Sequence, residues 1–176
     1  MAQLPLTNVN AGVLPYACVD GNARYLLAFD PNPDRLGWAN FGGGPAEGEL
    51  AKETALREFN EETNCVFDIN DIDLDSLSGP SGFFGYYTYL AEVPYTDPKT
   101  ISAPRTCAHV ERTDWVWVNH DDLIAALTGF DPVARMDSIE PARSIHLWDG
   151  SAGSLRKALG DDVISKADPC VNQSSQ

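Results

Sequence analysis

Apolar and polar residues change spacing several times along the chain, and each change predicts an element. Residues 11–19 (AGVLPYACV) and 23–29 (ARYLLAF) are short apolar runs either side of Asp20-Gly21-Asn22, which predicts a β-hairpin. Pro15 interrupts the first run; proline cannot donate a ladder hydrogen bond, so an edge position or a bulge is expected there. Residues 30–35 (DPNPDR) read as a loop, and Gly37-Trp38 leads into the glycine-rich stretch 41–50 (FGGGPAEGEL), read as a loop too flexible for regular structure. The period then becomes helical. Ala51, Ala55, Leu56 and Phe59 form a strip to bury, while Glu58, Glu61 and Glu62, three and four apart, share one face.

Beyond the helix, 66–69 is expected as a short strand, 70–78 as a solvated acidic loop and 79–82 (GPSG) as a turn. The run DINDIDLDS invites an EF-hand reading, which fails: neither Asp68 nor Asp71 as a start gives Gly at the sixth position or Glu at the twelfth. Residues 83–93 (FFGYYTYLAEV) read as a strand through the core, and the proline-punctuated 94–107 as a long loop. A further strand is expected over 111–118, with Trp115 and Trp117 on one face. Helices are expected over 120–127, ending before Gly129, and over 154–159. With strands and helices interspersed, the pattern predicts one α/β layered domain over 1–176.

The acidic stripe carries the chemistry. Each close like-charge pair destabilises a bare helix by roughly 0.2–0.5 kcal/mol, so the arrangement calls for a cation. All the ligands it offers are oxygen, which favours hard divalent ions; the plainer reading is a solvated acidic helix after a flexible loop. Charge narrows the partners. Twelve basic against 26 acidic residues give a net charge of −14 and a pI near 4.3. Long nucleic acids and anionic membranes are thereby disfavoured, since both bind through clustered Lys and Arg. No apolar run approaches a membrane span. Cys18, Cys65, Cys107 and Cys170 show no paired spacing, and Cys18 and Cys65 read as buried small hydrophobes. Reduced thiols in a cytoplasmic setting are therefore expected, with neither a disulfide nor a zinc site.

Gly43, Glu49, Arg57, Glu58, Phe59, Glu61, Glu62, Asn64 and Cys65 stand in the order and spacing of a known signature, and the stretch resembles that of the Nudix hydrolases. Asn64 departs from it by replacing a glycine, but asparagine is the next-best residue for a left-handed helix end. Phe41 stands where many relatives have proline. The order of elements over 11–128, including ERTDWVWV and the helix after it, is similar to the same family; 129–176 is an extension.

The resemblance implies a Nudix-type α/β/α sandwich with a mixed sheet. It implies Mg²⁺, or Mn²⁺, held by Glu58, Glu61, Glu62 and the carbonyl of Gly42 or Gly43. Arg57 and Glu49 would hold the glycine loop, including Gly48, against the helix, and the resemblance also puts Glu49 within reach of the metal. The catalytic set is then Glu58, Arg57 and a general base that is either Glu61 or Glu111. The implied activity is hydrolysis of a diphosphate linkage in a small nucleotide, such as a dinucleoside polyphosphate or an ADP-ribose-like compound. The alternatives are clean-up of nucleoside triphosphates, removal of an RNA cap, or a non-catalytic nucleotide-binding module. For the base or phosphates, Tyr16, Phe83, Phe84, Tyr86, Tyr87, Trp115 and Trp148, and Arg24, Arg35, Arg105 and Arg112, stand as candidates, the aromatics more readily as core. Monomer and homo-oligomer both remain open.

Overall fold

A computed structural model of the chain describes residues 5–103, 111–130 and 135–171. Strands β1 (Asn10–Val19) and β2 (Asn22–Asp30) form the expected hairpin. Asp20 and Gly21 both take positive φ, 52° and 77°, the backbone of a tight two-residue turn that matches strand twist. The short β3 (Gly37–Ala39) pairs with the end of β2 on the same edge as β1, and β4 (Phe41–Gly43) pairs with the start of β1. The glycine stretch thus contains a strand, correcting the reading of it as irregular throughout. Pairing with β1 needs only backbone, and small residues let it approach closely.

Pro15 is neither at an edge nor in a bulge. β1 is central: residues Ala11–Val13 pair with β4, residues Tyr16–Val19 pair with β2, and Pro15 falls in the gap between these two partners. On its other side β1 runs parallel to β6 (Tyr86–Glu92), which pairs antiparallel with β5 (Ser78–Phe83). β7 (Asp114–Asn119) pairs antiparallel with β2, completing a mixed sheet ordered β3-β2-β1-β6-β5, with β4 and β7 joined to its centre. GPSG is therefore strand rather than turn. The turn falls at Phe84-Gly85, both at positive φ, because Phe83 pairs with Tyr86.

Alternation along the central strands gives the sheet two buried faces. Val13, Leu26, Trp115 and Trp117 pack under helix α1 (Ala51–Glu62) through Ala51, Ala55, Leu56 and Phe59. Leu14, Leu27, Val116 and Val118 pack on the opposite face under α3 (His120–Thr128) and α4 (Asp149–Gly160). This is the expected sandwich of a mixed sheet between helices. Asn64 takes φ 55° just beyond α1, as its left-handed role requires, and its side-chain amide donates to the Ile101 carbonyl at 2.7 Å.

Other elements depart from the pattern reading. Residues 66–69 form no strand; two 3₁₀ turns, Ile69–Asp71 and Leu74–Ser76, follow, each opened by an aspartate carboxylate accepting a backbone N–H two residues on. The expected long loop contains the short α2 (Pro98–Ser102), whose Ile101 is buried. A hairpin of β8 (Arg135–Ser138) and β9 (Arg143–His146) was not visible in the pattern, its four-residue strands being too short to show a period.

The cysteine reading is overturned. Cys18 and Cys170 are disulfide-bonded, tying the chain beyond α4 to the end of β1, and Cys65 is also disulfide-bonded as well as exposed. The first pairing has no short-range spacing, since Cys18 and Cys170 are 152 residues apart. Cys107 lies outside the described residues.

Candidate active site

The path of α1 is set at both ends. At its start Glu53 accepts the Leu50 N–H at 2.9 Å; at its end the Glu62 carbonyl accepts the Trp115 indole N–H at 3.0 Å. That second bond brings the segment ahead of β7, with Glu111 and Arg112, against the acidic face of the helix. Glu58, Glu61, Glu62 and Glu111 consequently line one cavity of about 220 Å³.

Arg57 lies at the rim of this cavity. It donates to both Glu49 oxygens at 2.9 and 3.1 Å, to Glu58 at 2.8 Å, to Glu61 at 3.3 Å and to the Gly44 carbonyl at 2.7 Å. Glu49 also accepts from the Ala46 N–H and the Thr54 hydroxyl. Two planar groups meeting bidentately thus clamp the 44–50 loop to the helix. These hydrogen bonds from Arg57 hold the Glu49 carboxyl below the usual range. Arg57 pairs with Glu61 among its helical neighbours, and its other partners come from outside that spacing. Gly48, at φ 77°, turns this loop and donates its N–H to Asn8.

The glycines of β4 face the carboxylates closely. A Cβ on Gly43 would stand 2.6 Å from the Glu58 carboxylate, so any side chain there would push that carboxylate out of its place. The Gly42 N–H donates to Glu62 at 3.0 Å. Glu62 is buried and also accepts from Arg112 at 2.8–2.9 Å; Arg112, itself buried, reaches on to Asp30 at 3.5 Å, and Asp30 holds Arg35 at 3.0 Å. Burial pushes the Glu62 carboxyl up to about 7, against Arg112 and the Gly42 N–H. Burial also raises Glu58, opposed by Arg57 and reinforced by the charges of Glu61 and Glu111.

Carboxylates therefore outnumber the guanidiniums that touch them, and their mutual repulsion is felt at Glu58. An all-oxygen donor set with surplus negative charge fits a hard divalent cation. Among the described residues, no three His, Cys, Asp or Glu side chains stand close enough together to hold a metal ion as placed.

Of the aromatic candidates, Phe83, Phe84, Tyr86 and Trp148 line a second cavity of about 390 Å³ on the other side of Gly42–Gly44, with Arg35 and Arg112. Trp115 is core, and Tyr16 and Tyr87 pack against the cores. Arg24 pairs with Glu140 at 3.2 Å, and Arg105 lies outside the described residues. Asp30, Asn40 and Ser151 of this second cavity carry no motif. The nearest signal is the position of Asp30 at the start of the loop that follows a predicted strand.

A family model described as the NUDIX domain matches residues 9–136. Among solved structures, the Nudix hydrolase RenU of M. smegmatis is 18% identical over 89% of this chain and 88% of its own, with a TM-score of 0.51. A MutT/nudix family protein of Enterococcus faecalis is 19% identical, covering 97% of this chain and 68% of its own, with a TM-score of 0.50. At these identities the likeness shows the fold. Uncharacterized protein L534 of Acanthamoeba polyphaga mimivirus is 37% identical over 62 residues, which span 33% of this chain but only 20% of that protein.

Proposed function

This chain belongs to the Nudix family of hydrolases, and from that premise we propose that it cleaves a diphosphate linkage in a nucleoside diphosphate derivative, with Mg²⁺ or Mn²⁺ as cofactor. One observation carries the reading: Glu58, Glu61, Glu62 and Glu111 surround a single cavity beside the glycine strand β4. Glu58, Glu61 and Glu62, with a carbonyl of Gly42 or Gly43, would hold the metal. When bound, a divalent ion there supplies charge withdrawal from phosphoryl oxygens and a lowered pKa for water.

The remaining work falls to the chain's own groups. Arg57 fixes Glu58 and Glu61 in direction while clamping the loop through Glu49. Arg112 holds Glu62 in place from behind. Glu111 stands on the opposite wall with its side chain 60% exposed, so it can swing toward a reacting water and accept its proton. Glu61 is the other proton acceptor the site offers.

The finer substrate reading is a dinucleoside polyphosphate or an ADP-ribose-like compound. No helix among the described residues is long and apolar enough to cross a membrane. Of the expected setting, the reduced thiols do not hold, because Cys18 and Cys170 are disulfide-bonded.

The test is a panel of ADP-ribose, a dinucleoside polyphosphate and a deoxynucleoside triphosphate incubated with protein and Mg²⁺, the products separated by chromatography. Release of a mononucleotide with a second phosphorylated fragment supports the reading. Nucleotide binding with no release from any substrate moves the protein to the binding-module class. Glu111→Gln is expected to lower kcat about 100-fold; an unchanged kcat assigns the proton to Glu61.

A further inference from the structure

Strand β4 has only three residues, and its ladder to β1 is correspondingly short. Yet it carries the backbone on which the carboxylates rest: the Gly42 N–H donates to Glu62, and Gly43 lies against Glu58. Catalytic groups need a placement finer than so short a ladder gives alone. The side chain placed to supply it is Tyr86, at the start of β6 on the opposite edge of β1.

Gly12 of β1 and Gly42 of β4 stand directly opposite each other in the ladder. Glycine in a strand interior weakens it, and a facing pair leaves a bare stretch of sheet. The Tyr86 phenol crosses β1 there. A Cβ on Gly12 would lie 1.7 Å from its hydroxyl oxygen, and one on Gly42 would lie 2.0 Å away. Neither position could carry a side chain while the phenol keeps this place. The hydroxyl ends at the Phe41 carbonyl, to which it donates at 3.2 Å.

The neighbours of the hydroxyl fix the direction of that bond. The Asn40 backbone N–H donates to the Ser151 hydroxyl at 3.2 Å, and that hydroxyl donates to Asn40 Oδ1 at 2.8 Å. With its oxygen so engaged, the Asn40 side chain turns its NH₂ group to Tyr86, with which it shares a side-chain hydrogen bond. An amide NH₂ can only donate, so the Tyr86 oxygen accepts there and its own proton is left for the Phe41 carbonyl. Asn40 is 4% exposed, and hydrogen bonds in such surroundings reinforce one another and are costly to break. Helix α4 enters only at the far end of the chain of bonds, through Ser151.

We infer that Tyr86 is a positioning residue for the carboxylate site: its hydroxyl ties β4 to β6 across β1 and so sets the Gly42 N–H against Glu62. Phenylalanine would fill most of the same slot, but would leave the Phe41 carbonyl and the buried Asn40 amide without this partner. The inference rests on the diphosphate-hydrolase reading for its effect on turnover, while the hold on β4 can be read without turnover.

Tyr86→Phe is the test, with amide hydrogen exchange followed by nuclear magnetic resonance on the metal-free full chain and steady-state kinetics in Mg²⁺. The Gly42 amide is expected to exchange at least about tenfold faster in the variant, beyond any change in the β2–β7 ladder, which reports overall stability. On a nucleotide that the wild type hydrolyses, kcat is expected to fall about tenfold with KM within about twofold, because the ring that lines the larger cavity remains. A hydroxyl that serves stability alone would speed both ladders equally; that result overturns the inference, as does an unchanged kcat. Selective exchange at Gly42 in a chain that hydrolyses no nucleotide would remove the hydrolase reading and leave the hold of Tyr86 on β4 standing. Hydrolysis with uniform exchange would do the reverse.

Discussion

The two cavities that meet at Gly42–Gly44 are built in opposite ways. Three of the four glutamates around the smaller one come from a single helix at fixed spacing, and the clamp that orients them, Glu49 to Arg57, spans eight residues. The larger one draws Asp30, Asn40, Phe83, Phe84, Trp148 and Ser151 from separate segments that only the folded sheet brings together. Chemistry set by a helical repeat is local and can be tied to a motif. Recognition assembled across the fold can vary one segment at a time without moving the helix that carries the carboxylates.

The largest way to break that contrast is at the carboxylates. Glu61→Gln is expected to lower turnover at least about 100-fold while melting like the wild type, since its side chain is one-third exposed. Glu62→Gln is expected to lose activity and also about 2 kcal/mol of stability, because its carboxylate accepts charge-assisted hydrogen bonds from buried Arg112. Denaturant melts alongside kinetics check both. Equal stability in the two variants would mean that Arg112 does not depend on Glu62.

The next effect belongs to the larger cavity. Cys18→Ser removes a cross-link that holds the segment after α4, and losing such a bond typically costs about 2–5 kcal/mol. For a chain of this size that lowers Tm by roughly 4–20 °C. Because α4 walls only the larger cavity, KM is expected to rise before kcat falls as temperature approaches the new Tm. A parallel decline of the two would show that both cavities unfold together.

The smallest effect concerns the clamp. Arg57 holds the Glu49 carboxyl below its ordinary value of 4.5, so the unfolded chain takes up that proton first as pH falls. The clamp's stabilisation is therefore complete above the unfolded value and is lost as pH drops through the lower folded one. Wild type and Glu49→Gln should differ in Tm at pH 6 and converge as the pH is lowered below 4.5. A constant gap would mean that the ion pair contributes nothing to the clamp.

The same contrast governs what the sequence made legible. Glu58, Glu61 and Glu62 could be placed together because helical spacing is set by backbone geometry alone, and Asn64 because a left-handed helix end favours it. Pro15 misled: proline excludes a ladder donor, but it cannot reveal that a central strand changes partners at that residue. GPSG misled because turn-forming residues at 79–82 preceded the stronger turn at Phe84-Gly85, where pairing of Phe83 with Tyr86 decided the register. The disulfide was invisible since Cys18 and Cys170 meet only through the sheet and α4. Asn40 and Ser151 gave no signal, being ordinary polar residues 111 apart.

The most direct measurement is Mn²⁺ binding followed by electron paramagnetic resonance, comparing the wild type with the Glu58→Gln/Glu61→Gln double variant. Saturable binding by the wild type, lost in the double variant with the fold retained by circular dichroism, is the result this account predicts. Equal Mn²⁺ binding by the two proteins would contradict it.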